Sequence, residues 1–425
     1  MRVRYFGIIL KSVVLRIEHD NTCPDCLLAP AMSSNKPFGQ FFFEMKKYCI
    51  TFVHCMGVWA TIGTKNLRKY VKFKVVDMKR TSLLLACALL LSSCDMAKKT
   101  ADAPFFEMRG LVLAWDDLSN PEVIDWFEIM KTYDINTISV FGKDYQSEEY
   151  KALKQKCIDS GIDFEYEEHA MSWLMDKSLF ETHPEYFRMN EEGVRVSDGN
   201  GCPSSEEGLK VIMSNVKAFA DRHKPTNHRY YTWLYDGGDI CHCEKCKDFN
   251  ASDQGLIFEN HIIKALREFD PEAQLAHLAY DNTTPAPSCV KPEEGIFLEW
   301  APFYRRWDKP LSDTTAIRDG QKWSHADYIR MLEDNLKVFP AETAQVLEYW
   351  LDVSLASGWK KPQKQLDWHN DVYLEDLKTY ASYGIRRITV YAAWIDPYYV
   401  ETFKDVTCVH DYCRGLQTYR HGRKK

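Results

Sequence analysis

Between Tyr230 and Cys246 the chain reads Tyr-Tyr-Thr-Trp-Leu-Tyr-Asp-Gly-Gly-Asp-Ile-Cys-His-Cys-Glu-Lys-Cys. Two carboxylates, Asp236 and Asp239, flank a Gly-Gly turn, and the thiols Cys241, Cys243 and Cys246 follow at once. Carboxyl groups on such a turn can move protons at a bound substrate. The C-x-C-x2-C spacing packs three soft ligands into one turn, and Cys202 or His242 could supply a fourth for a structural zinc. The same thiols could instead pair as disulfides, for example Cys202 with one of the three. In either case the cluster pins the loop that carries Asp236 and Asp239.

Those residues need a frame to aim them. From Met108 onward, β-rich apolar runs alternate with amphipathic stretches. Strands are expected over Arg109–Trp115, Asn136–Phe141, Ile162–Glu167, Tyr230–Tyr235, Gln274–Tyr280, Gly295–Trp300, Gln345–Trp350 and Arg386–Tyr391. Helices are expected over Pro121–Tyr133, with Asn120 as cap and Pro121 at the first position, and over Glu148–Ser160, Glu206–Arg222, Asp253–Phe269, His325–Phe339 and Asn370–Tyr383. Eight strands with helices between them over about 290 residues fit a (β/α)8 TIM barrel in size and rhythm. A doubly wound sheet would bring a glycine-rich phosphate turn after its first strand, and Trp115-Asp116-Asp117-Leu118 is not one.

In such a barrel, chemistry collects at the C-terminal strand ends. These ends hold Trp115, Glu167 with His169, Asp236 with Asp239, Tyr280, Glu299 with Trp300, Glu348 with Trp350 and Asp352, and Tyr391 with Trp394. Carboxylates beside aromatic walls are what glycoside hydrolysis requires: one carboxyl protonates the leaving oxygen, a second supports charge at the anomeric carbon, and rings pack against sugar faces. No G-x-S-x-G and no P-loop occurs.

The chain divides further by composition. Residues 1–77 hold twelve Lys/Arg against five Asp/Glu, and the chain after Cys94 holds forty against fifty-six. An acidic body excludes nucleic acid as the expected partner, since phosphate binding needs a basic surface. Met78-Lys79-Arg80, the apolar run Leu83–Leu91 and Leu91-Ser92-Ser93-Cys94 resemble a bacterial lipoprotein signal, with Cys94 as the lipidated residue. Residues 1–77 are then an upstream extension outside the mature protein, 78–94 the signal, 95–107 a tether, 108–405 the barrel and 406–425 a basic C-terminal tail. Cys408 and Cys413 in that tail could form a disulfide.

The segment Tyr230–Cys246, Leu278-Ala279-Tyr280 before a proline-rich loop, Leu347–Ser354 and the turn His183-Pro184-Glu185-Tyr186-Phe187 together resemble the bacterial lipoproteins grouped as domain of unknown function 4838. The resemblance runs from about Arg109 to Phe403 and is most specific at the thiols. It implies a barrel related to glycoside hydrolases, near the hexosaminidase and α-glucuronidase barrels. Substrate-assisted hexosaminidases place an adjacent Asp-Glu pair after strand four. Here Asp236 and Asp239 are separated by two glycines, which leaves an ordinary two-carboxylate mechanism.

The expectation is therefore a glycoside hydrolase, lipid-anchored on the extracytoplasmic side of the cell envelope, that acts on a polysaccharide. Asp239 is expected as general acid, Glu348 as nucleophile or base, and Asp236 and Glu299 as positioning groups. Trp115, His169, Tyr280, Trp300, Trp350, Asp352 and Trp394 would line the sugar site. Catalysis requires no cofactor, and zinc at Cys202, Cys241, Cys243 and Cys246 would be structural. The alternative is a non-catalytic glycan-binding lipoprotein that captures sugar on Trp300, Trp307 and Trp394.

Overall fold

The computed structural model describes residues 103–142 and 147–421. The upstream extension, the lipoprotein signal, Cys94 and the start of the tether lie outside the described residues. Eight parallel strands close into one barrel in chain order. They are β1 (Met108–Ala114), β2 (Thr137–Phe141), β3 (Asp163–Glu168), β4 (Arg229–Thr232), β5 (Gln274–Ala279), β6 (Ile296–Trp300), β7 (Gln345–Glu348) and β8 (Arg387–Tyr391). β8 pairs back onto β1, with Thr389 beside Gly110, so no edge is left unpaired.

Helices α1 (Trp126–Tyr133), α2 (Glu148–Ser160), α3 (Glu206–His223), α4 (Ala251–Arg267), α5 (His325–Leu336), α6 (Asn370–Ser382), α7 (Pro397–Phe403) and α8 (Thr407–Thr418) cover the barrel. Their starts follow the caps in the sequence. Ser147, Ser205, Asn250 and Ser324 each accept a backbone N–H from the first turn of α2, α3, α4 and α5. α1 starts later than the Asn120-Pro121 signal indicates. Asp125 takes the cap by accepting from the Phe127 and Glu128 amides, and Asn120 closes only a preceding turn. β5 and β6 are joined by a loop instead of a helix. Asp253 on α4 holds that loop by accepting the Ser288, Cys289 and Val290 amides.

The segment expected as a basic tail is the amphipathic helix α8, packed against α1 and α6. Val409, Tyr412 and Leu416 are fully buried, and Tyr412 Oη donates to the Gly110 carbonyl of β1 at 2.7 Å. Cys408 and Cys413 are free buried thiols, not a disulfide. Five helical residues apart, they stand on different parts of the helix surface.

Between β7 and α6, on the outside of the barrel, lies a buried ionic network. Arg305 lies 3.3 Å from Glu348 on β7 and 2.6 Å from Asp376 on α6, and all three side chains have no exposure. Tyr380 Oη also donates to Glu348, Trp350 Nε1 donates to Asp376 at 3.0 Å, and the Leu311 amide donates to Asp376 at 2.7 Å. Removing one member leaves a buried charge uncompensated. Arg305→Met is expected to cost about 3–5 kcal/mol, read as a lowered urea midpoint with an unchanged denaturant slope.

Candidate active site

Side chains alternate across a strand, so one parity of each barrel strand faces the lumen. Hydrogen bonds between strands that are not neighbours identify that parity, because such bonds must cross the interior. Arg229 on β4 donates to Gln345 on β7 at 2.9 Å, and Tyr231 donates to the same oxygen at 3.0 Å. Trp233 Nε1, just beyond β4, donates to Glu299 on β6 at 2.8 Å, and Gln345 Nε2 donates to the other Glu299 oxygen at 3.2 Å. On β3 the same parity sends Glu165 and Glu167 inward, while Phe164 and Tyr166 join the outer core.

The lumen thus collects carboxyls. Glu165 accepts from Asn227 at 2.7 Å, and burial pushes it up to about 7 against the pull of the Arg229 guanidinium. Burial raises Glu299 to about 8, with Trp233 opposing and Glu165 adding to the rise. Glu167 is raised well above the usual carboxyl range by burial, then by repulsion from Glu299 and Glu165. Neither Glu167 oxygen has a bonding partner among the described residues. The nearby Ser139 hydroxyl on β2 favours the ionised form, too weakly to offset burial and repulsion. Burial in that setting favours the protonated form of the carboxyl.

Glu167 lines a cavity of about 610 Å³ at the C-terminal mouth of the barrel. Leu278 and Leu347 line the same space, and Phe141, Tyr280, Tyr304, Tyr349, Tyr391, Trp359 and Trp394 give it aromatic walls. Tyr391 stacks on Phe141 with centroids 4.9 Å apart. Trp359 is 60% exposed at the rim. Asp117 holds the Trp394 backbone, accepting its amide at 3.0 Å and the Ala114 amide at 2.8 Å, which ties β8 to the end of β1.

The Gly-Gly turn separates its two acids. Gly237 takes φ +61°, and a Cβ on Gly238 would come within 2.9 Å of Asn200 Nδ2 and of the Tyr235 carbonyl. Asp236 faces the cavity, accepting from Tyr280 Oη at 3.3 Å, with His169 Nε2 3.9 Å away. His169 Nδ1 lies 2.5 Å from the Leu234 carbonyl, so that nitrogen must hold the proton and Nε2 is left toward Asp236. Asp239 lies beyond the turn and outside the cavity lining, 3.2 Å from Arg188 of the segment between β3 and α3.

The expected residues therefore separate. Asp236, His169, Tyr280, Asp352 and Trp394 line the cavity, and Glu299 lies in the lumen against Trp233. Asp352, buried and raised to about 6 by that burial, also caps the turn at Val353 by accepting the Leu355 amide. Glu348 is a correction: its parity on β7 is outward, into the Arg305–Asp376 network, where it cannot meet a substrate. Asp239 and Glu348 are not brought to one place. Trp300 also faces outward, fully buried against Tyr328 of α5. Trp115 packs beside Tyr150 of α2 and is absent from the cavity lining. Trp350 packs on Tyr373 and lines a neighbouring chamber of about 560 Å³ with Trp307 and Trp368. Tyr349 and Asp352 border both chambers. Glu167 was named only as a strand end; Glu165 and Glu167 in alternation with Phe164 and Tyr166 are the signal that marks it as inward.

Residues 97–356 match the family model described as "Domain of unknown function (DUF4838)". No curated protein matches the chain. Among solved structures it is similar to an O-GlcNAc hydrolase mutant of Thermobaculum terrenum, at 13% identity and TM-score 0.42, over 74% of this chain and 60% of that one. It is also similar to a β-N-acetylhexosaminidase of Bacteroides fragilis, at 13% identity and TM-score 0.46, over 76% of this chain and 68% of that one. A third is a β-galactosidase from the psychrophile Marinomonas ef1, at 12% identity and TM-score 0.47, over 73% of this chain and 59% of that one. The chain thus spans about six tenths to two thirds of the length of these structures.

The lumen carboxyls set a pH dependence. Glu165 and Glu299 hold protons in the fold up to about 7 and about 8, against 4.5 in the unfolded chain, so between these limits the folded state binds more protons. The contribution of these two groups is then full below about pH 4.5 and is lost as pH rises through about 7 and about 8, by up to about 1.4 kcal/mol per pH unit for each. Urea midpoints should drop from pH 5 to pH 8, and Glu299→Gln should make that drop shallower.

Proposed function

We propose, for a chain that belongs to the family described as "Domain of unknown function (DUF4838)", that the barrel binds carbohydrate in its two-chambered cleft and hydrolyses a glycosidic bond. The observation that carries the reading is Glu167, a buried carboxyl that lines an aromatic-walled cavity and whose burial favours the protonated form. A glycosidase needs such a group to donate a proton to the leaving oxygen. Burial is the main cause that favours the Glu167 proton, and any charge on Glu299 or Glu165 adds to it. Asp236, exposed at the rim and oriented by Tyr280, is the second acid, which supports charge at the anomeric carbon or activates water.

The aromatic walls suit sugar faces, which present C–H groups to a ring. Two chambers meeting at Tyr349 and Asp352 give room for several sugar units, which favours a polysaccharide or oligosaccharide over a single residue. The signal read at Met78–Cys94 supports a lipid-anchored, extracytoplasmic location for that encounter.

The test is a screen of aryl glycosides and glycan fragments against wild type, Glu167→Gln, Asp236→Asn and Asp239→Asn. Wild type should turn over at least one substrate. Glu167→Gln should lose about 10²–10⁴ in rate with binding retained, Asp236→Asn should lose a comparable factor, and Asp239→Asn should stay near wild type. Equal turnover by wild type and Glu167→Gln would remove the proposed acid. Binding by wild type without turnover of any bound glycan would replace hydrolysis with glycan capture.

A further inference from the structure

Cys202, Cys241, Cys243 and Cys246 come together from two segments far apart in the chain, and their sulfurs all lie within 4.8 Å of one another. Cys202 Sγ is 3.6 Å from Cys241, 3.8 Å from Cys243 and 3.9 Å from Cys246. A disulfide needs about 2.05 Å, and all four thiols are free. Four sulfurs about 2.3 Å from a central zinc sit about 3.8 Å apart in a tetrahedron, which is the spacing seen from Cys202. We propose that these four cysteines bind one structural zinc ion that fastens the segment between β3 and α3 to the loop after β4.

The surroundings suit a dianionic tetrathiolate centre. All four cysteines are buried, at 6% exposure or less. The Met189 amide points at Cys241 Sγ at 3.3 Å, Arg195 Nη1 lies 3.9 Å from the same sulfur, and the Ser204 hydroxyl lies 3.2 Å from Cys202 and 3.6 Å from Cys243. Donors of this kind orient metal ligands and spread their charge. Cys243 and Cys246 are set by a tight turn in which the Cys246 and Lys247 amides donate to the Cys243 carbonyl. Filling all four positions with thiolate leaves none for a substrate, so the ion is structural. On binding, the cysteines give up their protons to solvent and form four Zn–S bonds, with no change of oxidation state.

The clamp bears on the cavity through the backbone. The Cys202 amide donates to the Tyr186 carbonyl at 2.8 Å. Two residues earlier, Asn200 accepts the Tyr235 amide at 2.8 Å, next to Asp236. Gln254 of α4 donates to the Cys241 and Cys246 carbonyls and accepts the Cys241 amide. Zinc therefore holds the loop of Asp236 in place from behind, a role that stands whether or not the cleft hydrolyses sugar.

The measurement is metal content of the purified chain after dialysis, together with cobalt(II) titration of the stripped, reduced protein. About one zinc per chain is expected, and cobalt(II) should give thiolate-to-metal charge-transfer absorption. Arg195→Met should weaken zinc about ten- to hundredfold. Stripping zinc should raise hydrogen exchange over residues 186–203 and 236–249 while the β1 and β8 amides stay protected. A chain without zinc that gives no cobalt–thiolate absorption overturns the proposal. So does mass mapping that finds these cysteines in disulfides. Both readouts use wild-type protein and no activity, so they stand even if a cysteine variant fails to fold.

Discussion

Burying carboxyl groups together inside a barrel is the constraint on which the rest of the structure depends. Glu165, Glu167 and Glu299 cannot all ionise in a space that water does not reach, because each would pay the cost of leaving water and each repels the others. The barrel resolves this unevenly. Arg229 lies with its guanidinium 3.6 Å from the Phe297 ring and pulls Glu165 toward ionisation, Trp233 and Gln345 hold Glu299 by hydrogen bonds, and Glu167 is left without a partner. The uneven treatment separates a hydrogen-bonded pair from the group on which the proposed function rests. Removing a partner from a buried polar group normally costs stability, and a group left that way beside the cavity is what carries the proposal made for Glu167.

The inner and outer faces of the strands divide the work. Inward positions hold the polar lumen and the cavity floor; outward positions hold the contacts with the helices. Glu348 and Trp300 show how far that division governs function. Each sits at the C-terminal end of a strand, where a barrel carries its chemistry, yet each faces a helix and serves packing: Glu348 joins Arg305 and Asp376, and Trp300 packs on Tyr328. A shift of one residue along the strand would reverse both roles.

Much of the frame is legible in the residues. β-branched and aromatic runs, Ser and Asn caps and closing glycines give the eight strands and most helix limits to within a few residues, because those local preferences agree with the fold. α8, with its apolar stripe of Val409, Tyr412 and Leu416, is hidden when the whole tail is read as basic, because the positive charge lies in Arg420–Lys425 beyond it while the helix itself carries Arg414 balanced by Asp411. The site was legible in part. Asp236, His169, Tyr280, Asp352 and Trp394 could be found by their place at strand ends, and the four thiols by their spacing. Asp239 could not be told from Asp236, because the tight turn at Gly237-Gly238 that turns one away is a matter of backbone path. The weight of Glu167 was missed because it depends on Glu299, 132 positions further along the chain, which only barrel closure brings near.

A general acid at Glu167 requires that carboxyl to keep its proton at neutral pH. Infrared spectroscopy of the carboxyl C=O stretch, comparing wild type with Glu167→Gln at pH 7, tests it most directly. The wild-type-minus-variant difference spectrum should hold a protonated-acid band, over the background from Glu165 and Glu299 that both proteins share. A difference spectrum in which the substitution removes only carboxylate absorption would contradict it.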